Sequence, residues 1–246
     1  MFRGFLKLTW VETKIFVREP MGLVGTLGMP LALFVGLGRM LGAGRSGGPP
    51  ALGGAPFNVP ILSALLIAVS AVMSLVTIIS IYREGGILKR LRATPLSPLT
   101  ILGAHVAVKL VFTIAGLALL VAAGRQLFPG ALDVPLVPFT AALLLSTLSI
   151  LSLGFVIASV VPTARFAQPI GAAVVYPMIA LSGVFFPISR LPSGLRLVAY
   201  ALPTTQAVAL MRGVWEGAGW HWGNAAALAI VFVACSGLSS RLFRWE

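Results

Sequence analysis

Long runs of apolar residues alternate with short polar stretches along the whole chain. A helix of about 20 apolar residues crosses the hydrocarbon core of a bilayer, and runs of roughly that length occur six times. Because backbone polar groups in lipid must be satisfied within the segment itself, these runs predict transmembrane α-helices. The predicted spans cover residues 20–41, 59–82, 99–124, 134–161, 166–186 and 220–241. The sequence therefore predicts an all-α, polytopic membrane protein in which residues 1–246 form a single transmembrane domain.

The first 19 residues carry a basic stripe instead of an apolar run. On a helical wheel four basic residues fall within an arc of about 60°. They are Arg3, Lys7, Lys14 and Arg18. Glu12 and Glu19 fall on the opposite side, where they would face lipid unless they contact protein. We expect an amphipathic helix in the plane of the membrane interface over residues 1–19; a positively charged flank without fixed structure is the alternative.

A second segment without a full span lies before the last predicted helix, at residues 187–215. Its uncharged run, residues 197–211, is too short to cross a bilayer, and Pro203 interrupts it. Irregular backbone at membrane depth is tolerated only where it packs against protein or lines a cavity. The segment is therefore predicted to be a re-entrant or interfacial hairpin on the extracellular side.

The most polar internal stretch, residues 83–98, lies between the second and third predicted spans. Gly85 and Gly86 permit a sharp change of chain direction, and Pro95 stops a helix. Between them Ile87, Leu88 and Leu91 form one apolar edge of a single helical piece, beside Lys89, Arg90 and Arg92. We expect a short amphipathic helix parallel to the membrane; an ordinary positively charged loop explains the charges but not this order of hinge, helix and proline.

Composition supports the membrane assignment and gives an orientation. The chain is 58% hydrophobic and only 10% charged, whereas a soluble domain carries about 25% charged residues, and its formal net charge is +12. With the N-terminus inside, 12 of the 18 Lys and Arg residues lie on that side, so the positive-inside rule places both termini in the cytoplasm. These 12 residues include Lys109 of the third span, because we expect its side chain to snorkel to the headgroups on the cytoplasmic side. Basic residues at membrane flanks account for the charge, and nucleic-acid binding is not expected.

Several kinds of chemistry have no motif in this sequence. A G-x-x-x-x-G-K-[ST] motif does not occur, so the chain is not expected to hydrolyse ATP or to be an enzyme. Two histidines and one cysteine, Cys235, are too few for the usual metal sites. None of the six predicted spans contains an acidic residue, which argues against coupling to protons or sodium ions. An energy source outside the chain is preferred; an ion-coupled secondary transporter or a channel remains the alternative.

One polar feature lies within a predicted span. Small hydroxyl residues of the second span cluster within about 60° of arc. They are Ser63, Ser70, Ser74 and Thr77. Such a face is typical of close helix packing, or it lines a substrate path, and both interpretations stay open.

Two motifs give the chain a family resemblance. The stretch EGGILKRLRATPLSP, residues 84–98, resembles the cytoplasmic signature of ABC type-2 exporter permeases. The stretch from Tyr176 to Val214, with LSGVFFP followed by a hairpin containing LPTT, is similar to the C-terminal half of the same family. Together with the six-span layout and the N-terminal helix, the resemblance covers essentially the whole chain.

The resemblance implies a coupling helix that docks on a separate ABC ATPase subunit. The residues it assigns to coupling are Glu84, Gly85, Ile87, Leu88, Lys89, Arg90, Leu91, Arg92, Thr94 and Pro95. Two permeases, as a homodimer or a heterodimer, would work with two ATPase subunits, and ATP and Mg would bind the ATPase while this chain binds no cofactor. The resemblance further implies an exporter in the cell inner (plasma) membrane, surrounded by lipid.

The same resemblance assigns the transport path and its outer end. The path would run between the two permeases, bounded by the first, second and fifth spans, with the serine face as candidate lining. The outer gate would be formed by Leu181, Ser182, Gly183, Phe185, Phe186 and Pro187, together with the hairpin around Pro203. A hydrophobic drug, a natural product or a lipid, taken from the cytoplasm or the inner leaflet, is the expected substrate.

Overall fold

The chain folds into a bundle of helices joined by short connections. The computed structural model describes residues 2–41, 59–87, 98–127, 135–161, 163–185 and 187–242. Its α-helices, in chain order, are α1 (Phe2–Arg18), α2 (Pro20–Leu23), α3 (Met29–Leu41), α4 (Val59–Glu84), α5 (Pro98–Leu127), α6 (Leu136–Val160), α7 (Ala164–Ala180), α8 (Ser193–Ala201), α9 (Pro203–Trp215) and α10 (Trp222–Leu242). A π-helical turn, Val24–Gly28, joins α2 to α3, and a 3-10 turn, Ile188–Arg190, precedes α8. The described part of the chain contains no β-strand, so the predicted all-α class is confirmed.

Four helices in the described ranges are long and apolar enough to cross a membrane. Their apolar segments are Ala64–Glu84, Gly103–Leu127, Leu136–Val160 and Trp222–Arg241. These segments belong to α4, α5, α6 and α10 and coincide with the predicted second, third, fourth and sixth spans. The chain is therefore a multi-pass membrane protein.

The predicted first and fifth spans form shorter or interrupted apolar helices. Residues 20–41 are helical throughout, but the π-helical turn divides them and the apolar stretch is only Val24–Leu37. The fifth span corresponds to α7, which has 17 residues and contains Pro169 and Pro177. Proline inside a helix removes a backbone hydrogen bond and bends it. The count of six spans accordingly stays a prediction.

The core is built around α6. This helix packs against α4, α9 and α10, and its buried side chains include Leu143, Ile150 and Leu151. A Cβ added at Gly154 of α6 would lie 3.0 Å from Cγ1 of Val72 in α4. The missing side chain thus lets the two helices approach closely, as small residues commonly do between membrane helices.

Hydrogen bonds fix which helix ends lie together. Arg83, at the C-terminal end of α4, bonds carbonyl groups at the C-terminal end of α6. The hydroxyl groups of Ser159 in α6 and Ser239 in α10 lie 3.3 Å apart. The N-terminal helix α1 contacts this same end, which we call the α1 end, through Tyr82.

The opposite end, which we call the hairpin end, carries α8 and α9. Apart from the buried Ala199, the side chains of α8 are exposed, whereas α9 is mostly buried against α6, α10, α4 and α7. Pro203 is the first residue of α9, a position where its missing N–H costs no helical hydrogen bond. The hydroxyl of Thr204 donates to the carbonyl oxygen of Met178 at 2.9 Å, which ties α9 to α7.

Candidate functional site

The site begins where α4 ends, at the start of the predicted coupling segment. The helix continues through Glu84, and the N–H of Gly85 donates to the carbonyl oxygen of Ile81 at 2.8 Å. Gly86 has φ +68° and its N–H donates to the carbonyl oxygen of Arg83. A left-handed residue just after a helix is the usual way to turn the chain out of it. Gly85 and Gly86 therefore form a turn directly after the C-terminal end of α4.

The rest of the coupling segment lies outside the described residues. The predicted coupling residues that fall there are Leu88, Lys89, Arg90, Leu91, Arg92, Thr94 and Pro95. Of the described positions, Glu84, Gly85 and Ile87 are exposed. The coupling role of all ten residues stays a prediction.

Arg83, directly before this turn, holds α4 against α6. Its Nη1 donates to the carbonyl oxygen of Val161 at 2.6 Å, and its Nη2 donates to that of Ala158 at 2.8 Å. These carbonyl groups belong to the last turn of α6 and the residue after it, where they lack partners within the helix. A cation there also suits the negative end of the helix dipole. Arg83 thus caps α6 and fixes the position of the turn.

Tyr82, one residue earlier, holds α4 against α1. Its hydroxyl donates to Oε1 of Glu12 at 2.8 Å, and both residues are buried. Nδ1 of His105, on α5, lies 3.5 Å from Oε2 of the same carboxylate. The two oxygen atoms of Glu12 therefore join α1 to two membrane-spanning helices.

Lys109 extends this arrangement one turn further along α5. Its ammonium group donates to the hydroxyl of Ser74 in α4 at 2.5 Å and lies 3.9 Å from the centroid of the Phe16 ring of α1. Only 3% of Lys109 is exposed, so the expectation that its side chain snorkels to the headgroups is wrong. We call Glu12, Ser74, Tyr82, His105 and Lys109 the buried polar cluster.

Burial also changes the acidity of Glu12, which lies on α1 outside the membrane spans. Removal from water raises the pKa of its carboxyl group, while the hydrogen bond from Tyr82 and the charge of Lys109 act in the lowering direction. An isolated carboxylate is costly to bury, and partners of this kind reduce the cost. From the sequence, the two glutamates were expected to face lipid unless they contact protein. Glu12 contacts protein.

The structure places the predicted serine face on α4 in two groups. Ser70 and Thr77 donate to the carbonyl oxygen atoms of Ile67 and Met73, respectively, within their own helix. Ser74 belongs to the buried polar cluster, and the side chain of Ser63 lies outside the described residues. Both interpretations of this face, helix packing and a transport path, stay predictions.

The described residues of the predicted outer gate lie together at the hairpin end. Leu181 follows the last residue of α7, Ser182 is buried and donates to the carbonyl oxygen of Ile179, and Gly183 has φ +83°. Phe185 packs on the main core, and Pro187 precedes the 3-10 turn. Phe186 lies outside the described residues. The predicted gate residues thus surround a turn that joins α7 to the hairpin.

Sequence reasoning missed the buried polar cluster. The signal available was the spacing of His105 and Lys109, four residues apart on one helix face, together with two glutamates opposite the basic stripe of α1. The packing of α1 on α5 brings these side chains together, and there the rings of Phe16 and Phe112 lie 4.3 Å apart. Among the described residues no group of three or more His, Cys, Asp or Glu is arranged to hold a metal ion.

Comparison with known families agrees with this architecture. A search of curated proteins found no match. The family model of the ABC-2 type transporter matches residues 3–215, which span α1 through α9 and include both motifs that carried the resemblance. The chain therefore belongs to the ABC-2 type transporter family and is a membrane permease subunit of an ABC transporter, a kind of protein that works with an ABC ATPase.

Proposed function

We propose that the chain exports a hydrophobic drug, a natural product or a lipid from the cytoplasm or the inner leaflet, driven by ATP hydrolysis on a separate ATPase subunit. This proposal rests on one observation: the start of segment 83–98 is attached to helices α1 and α6. Tyr82 and Arg83, the two residues before Glu84, bond α1 and α6, respectively. A force applied to the segment would therefore move several helices together.

The chemistry of the segment favours a protein partner. Ile87 is an exposed apolar side chain at the start of the segment, and three basic residues follow it along the sequence. Apolar contact surrounded by basic residues suits a groove with acidic rims. In this proposal the α1 end faces the cytoplasm, two ATPase subunits bind ATP and Mg there, and the chain itself binds no cofactor.

The transport path is proposed to lie between two permease copies. Ser70 and Thr77 satisfy their hydroxyl groups within α4, so an apolar molecule passing them would leave no hydrogen bond unmade. The turn from Leu181 to Pro187 and the hairpin would close the path at the outer side. Ser70→Leu is the probe: altered transport with an unchanged amount of dimer supports the path, whereas loss of dimer supports packing.

The coupling assignment is tested by co-purification. We expect an ABC ATPase to be encoded beside this gene, and the tagged chain is produced together with it. The chain is compared as wild type, as Leu91→Asp and as the matched control Leu197→Asp, at an exposed leucine of the hairpin end. We expect Leu91→Asp to lose the ATPase while still inserting into the membrane, and Leu197→Asp to retain it. If Leu91→Asp binds the ATPase as well as the control does, the assignment is wrong.

A second candidate function, ion-coupled transport, gains support from the buried polar cluster. Its buried carboxylate lies beside His105, whose Nε2 is buried without a hydrogen-bond partner among the described residues. Such groups handle protons in many transporters. Transport in vesicles with ATP supplied and a protonophore added separates the two: collapse of transport supports ion coupling, and persistence supports the exporter.

The substrate class is tested with the purified complex. Reconstituted permease and ATPase are presented with a panel of lipids and hydrophobic drugs, and ATP hydrolysis is measured. Stimulation by members of the panel would identify the class, and Ser70→Leu would change which members stimulate. Stimulation by polar compounds alone would contradict a hydrophobic substrate.

A further inference from the structure

A cavity of about 460 Å³ opens at the hairpin end. It lies between the turn after α7, the buried helix α9 and the start of α10. Its size falls within the range of about 300–1,000 Å³ that is usual for small-molecule sites. It is far from the buried polar cluster, which lies at the α1 end, so it is not part of the coupling machinery.

The cavity presents one positive and one negative side chain. Nε of Arg212 lies 3.8 Å from Oε1 of Glu216, the residue directly after α9, and Nη2 of Arg212 lies 3.4 Å from the carbonyl oxygen of Gly183. Both distances are long for a hydrogen bond, and both side chains are partly exposed. An exposed pair of this kind contributes little to stability, so a ligand can displace it at small cost.

Further polar groups complete the lining. Tyr200, His221 and Asn224 border the cavity, as does Thr205 of α9. Only 3% of Thr205 is exposed, and its hydroxyl has no hydrogen-bond partner within the described part of the chain. A buried polar group without a partner is unusual in a folded protein. A water molecule or a ligand group that enters the cavity beside Thr205 would supply such a partner.

The position of His221 is built into the backbone. A Cβ added at Gly213 would collide with the imidazole ring of His221. The N–H of Gly219, which has φ +88°, donates to the carbonyl oxygen of Gly213 at 3.0 Å. Glycine at these two positions allows the chain to fold back and hold His221 against α9.

Apolar side chains lead away from the cavity along α8. Leu195, Leu197 and Val198 are each about half exposed or more, and Tyr200 both lines the cavity and is 54% exposed. A short helix with large exposed apolar residues at the end of a membrane bundle lies where headgroups meet acyl chains. A lipid can therefore place its chains on α8 and its headgroup in the cavity.

We propose that this cavity binds the headgroup of a zwitterionic phospholipid that carries a primary ammonium group, of the phosphoethanolamine type. The phosphate lies against Arg212, with His221 and Asn224 beside it, and the ammonium lies against Glu216. A purely anionic headgroup leaves Glu216 facing a like charge. A quaternary ammonium cannot donate hydrogen bonds to the Glu216 carboxylate.

The test is lipid binding to the purified full-length chain, measured by native mass spectrometry. Phosphatidylethanolamine, phosphatidylcholine and phosphatidylglycerol with the same acyl chains are titrated against wild type, Arg212→Gln, Glu216→Gln and the control Arg190→Gln. Arg190 is an exposed arginine at the same end that does not line the cavity. We expect wild type and Arg190→Gln to prefer the ethanolamine lipid over both others. Arg212→Gln should weaken its binding about tenfold or more, the loss typical of removing a charge-assisted hydrogen bond, and Glu216→Gln should remove the preference over phosphatidylcholine.

Four results would overturn the proposal. Equal binding of the three lipids by wild type removes headgroup selection, and equal loss in Arg190→Gln removes the cavity as its location. Tightest binding of phosphatidylglycerol contradicts the role of Glu216. Water-soluble glycerophosphoethanolamine forms a further arm: we expect it to bind more weakly than the lipid, and equal affinity would assign the site to a soluble ligand instead. Because two substitutions on opposite charges are compared, misfolding of one variant leaves the other as the test.

Discussion

The two ends of the bundle use similar residues in opposite ways. At the α1 end Glu12 and Lys109 are almost fully buried and held by Tyr82, His105 and Ser74. At the hairpin end Arg212 and Glu216 are partly exposed and loosely paired. Breaking a buried ionic arrangement is expensive because it leaves a charge without partners, whereas an exposed pair contributes little. The charged side chains of the α1 end are therefore held in one arrangement, whereas Arg212 and Glu216 at the hairpin end can leave each other to bind a ligand.

Substitution of Lys109 is expected to have the largest effect. Lys109→Met removes the cation beside Glu12 and the donor to Ser74, and breaking a buried charge arrangement costs about 3–5 kcal/mol. The measurement is the free energy of unfolding of the purified chain in detergent. Lys14→Met, at an exposed lysine of the same helix as Glu12, is the control and should stay within about 0.5 kcal/mol of wild type. A loss no larger than that of the control would contradict the burial of the cluster.

Substitution of Arg83 ranks next. Arg83→Gln loses the cation and its paired contacts with two carbonyl groups of α6, and hydrogen bonds to charged groups contribute about 1.5–3 kcal/mol. We also expect ATP hydrolysis by the complex to become less dependent on substrate, because α4 and α6 would no longer move together. Arg83→Lys keeps the charge and should recover part of both properties. Full coupling in Arg83→Gln, despite lower stability, would limit this residue to a structural role.

The dependence of stability on pH is a smaller and more specific test. Because burial raises the pKa of Glu12 above its usual 4.5, the folded chain keeps a proton that the unfolded chain has already released. This contribution is complete below pH 4.5 and is lost as the pH rises through the raised pKa. The thermal midpoint measured across this window should fall more steeply for wild type than for Glu12→Gln. In Lys109→Met the fall should move to higher pH, since the lysine opposes the effect of burial.

The smallest effect is expected at the hairpin end. Arg212→Gln and Glu216→Gln should each change the free energy of unfolding by less than about 1 kcal/mol, as is usual for exposed pairs. Equilibrium unfolding under the same conditions as for Lys109→Met provides the comparison. A loss as large as that of Lys109→Met would show that the two ends are not different in the way proposed.

Much of the fold followed from the pattern of apolar residues. The apolar runs at 59–82, 99–124, 134–161 and 220–241 predicted α4, α5, α6 and α10 to within a few residues, because length and hydropathy alone define a membrane helix. Residues 20–41 and 166–186 were harder. A π-helical turn divides the first of these segments, and two internal prolines bend the second. Neither feature changes the hydropathy enough to be visible in a count of apolar residues.

The candidate site was predictable only in part. Gly85 and Gly86 indicated a turn after Tyr82 from local chemistry, and Gly86 has the left-handed backbone that such a turn needs. The polar neighbours of that turn were not predictable, because Glu12 and Tyr82 are separated by 70 residues. Counting acidic residues within spans also failed to find Glu12, since the helix that carries it is not a span and reaches the spans only by packing.

The sequence by itself determined that this is an all-α, multi-pass membrane protein of a recognisable permease type. Those properties depend on local composition, on turn residues and on short motifs, all of which are written in consecutive positions. The tertiary structure decided where the charges lie: Lys109 against Ser74 and the Phe16 ring, Glu12 between α1, α4 and α5, and Arg83 on the end of α6. The reason is that a buried charge is stable only where partners from distant segments surround it, and which segments meet is fixed by packing.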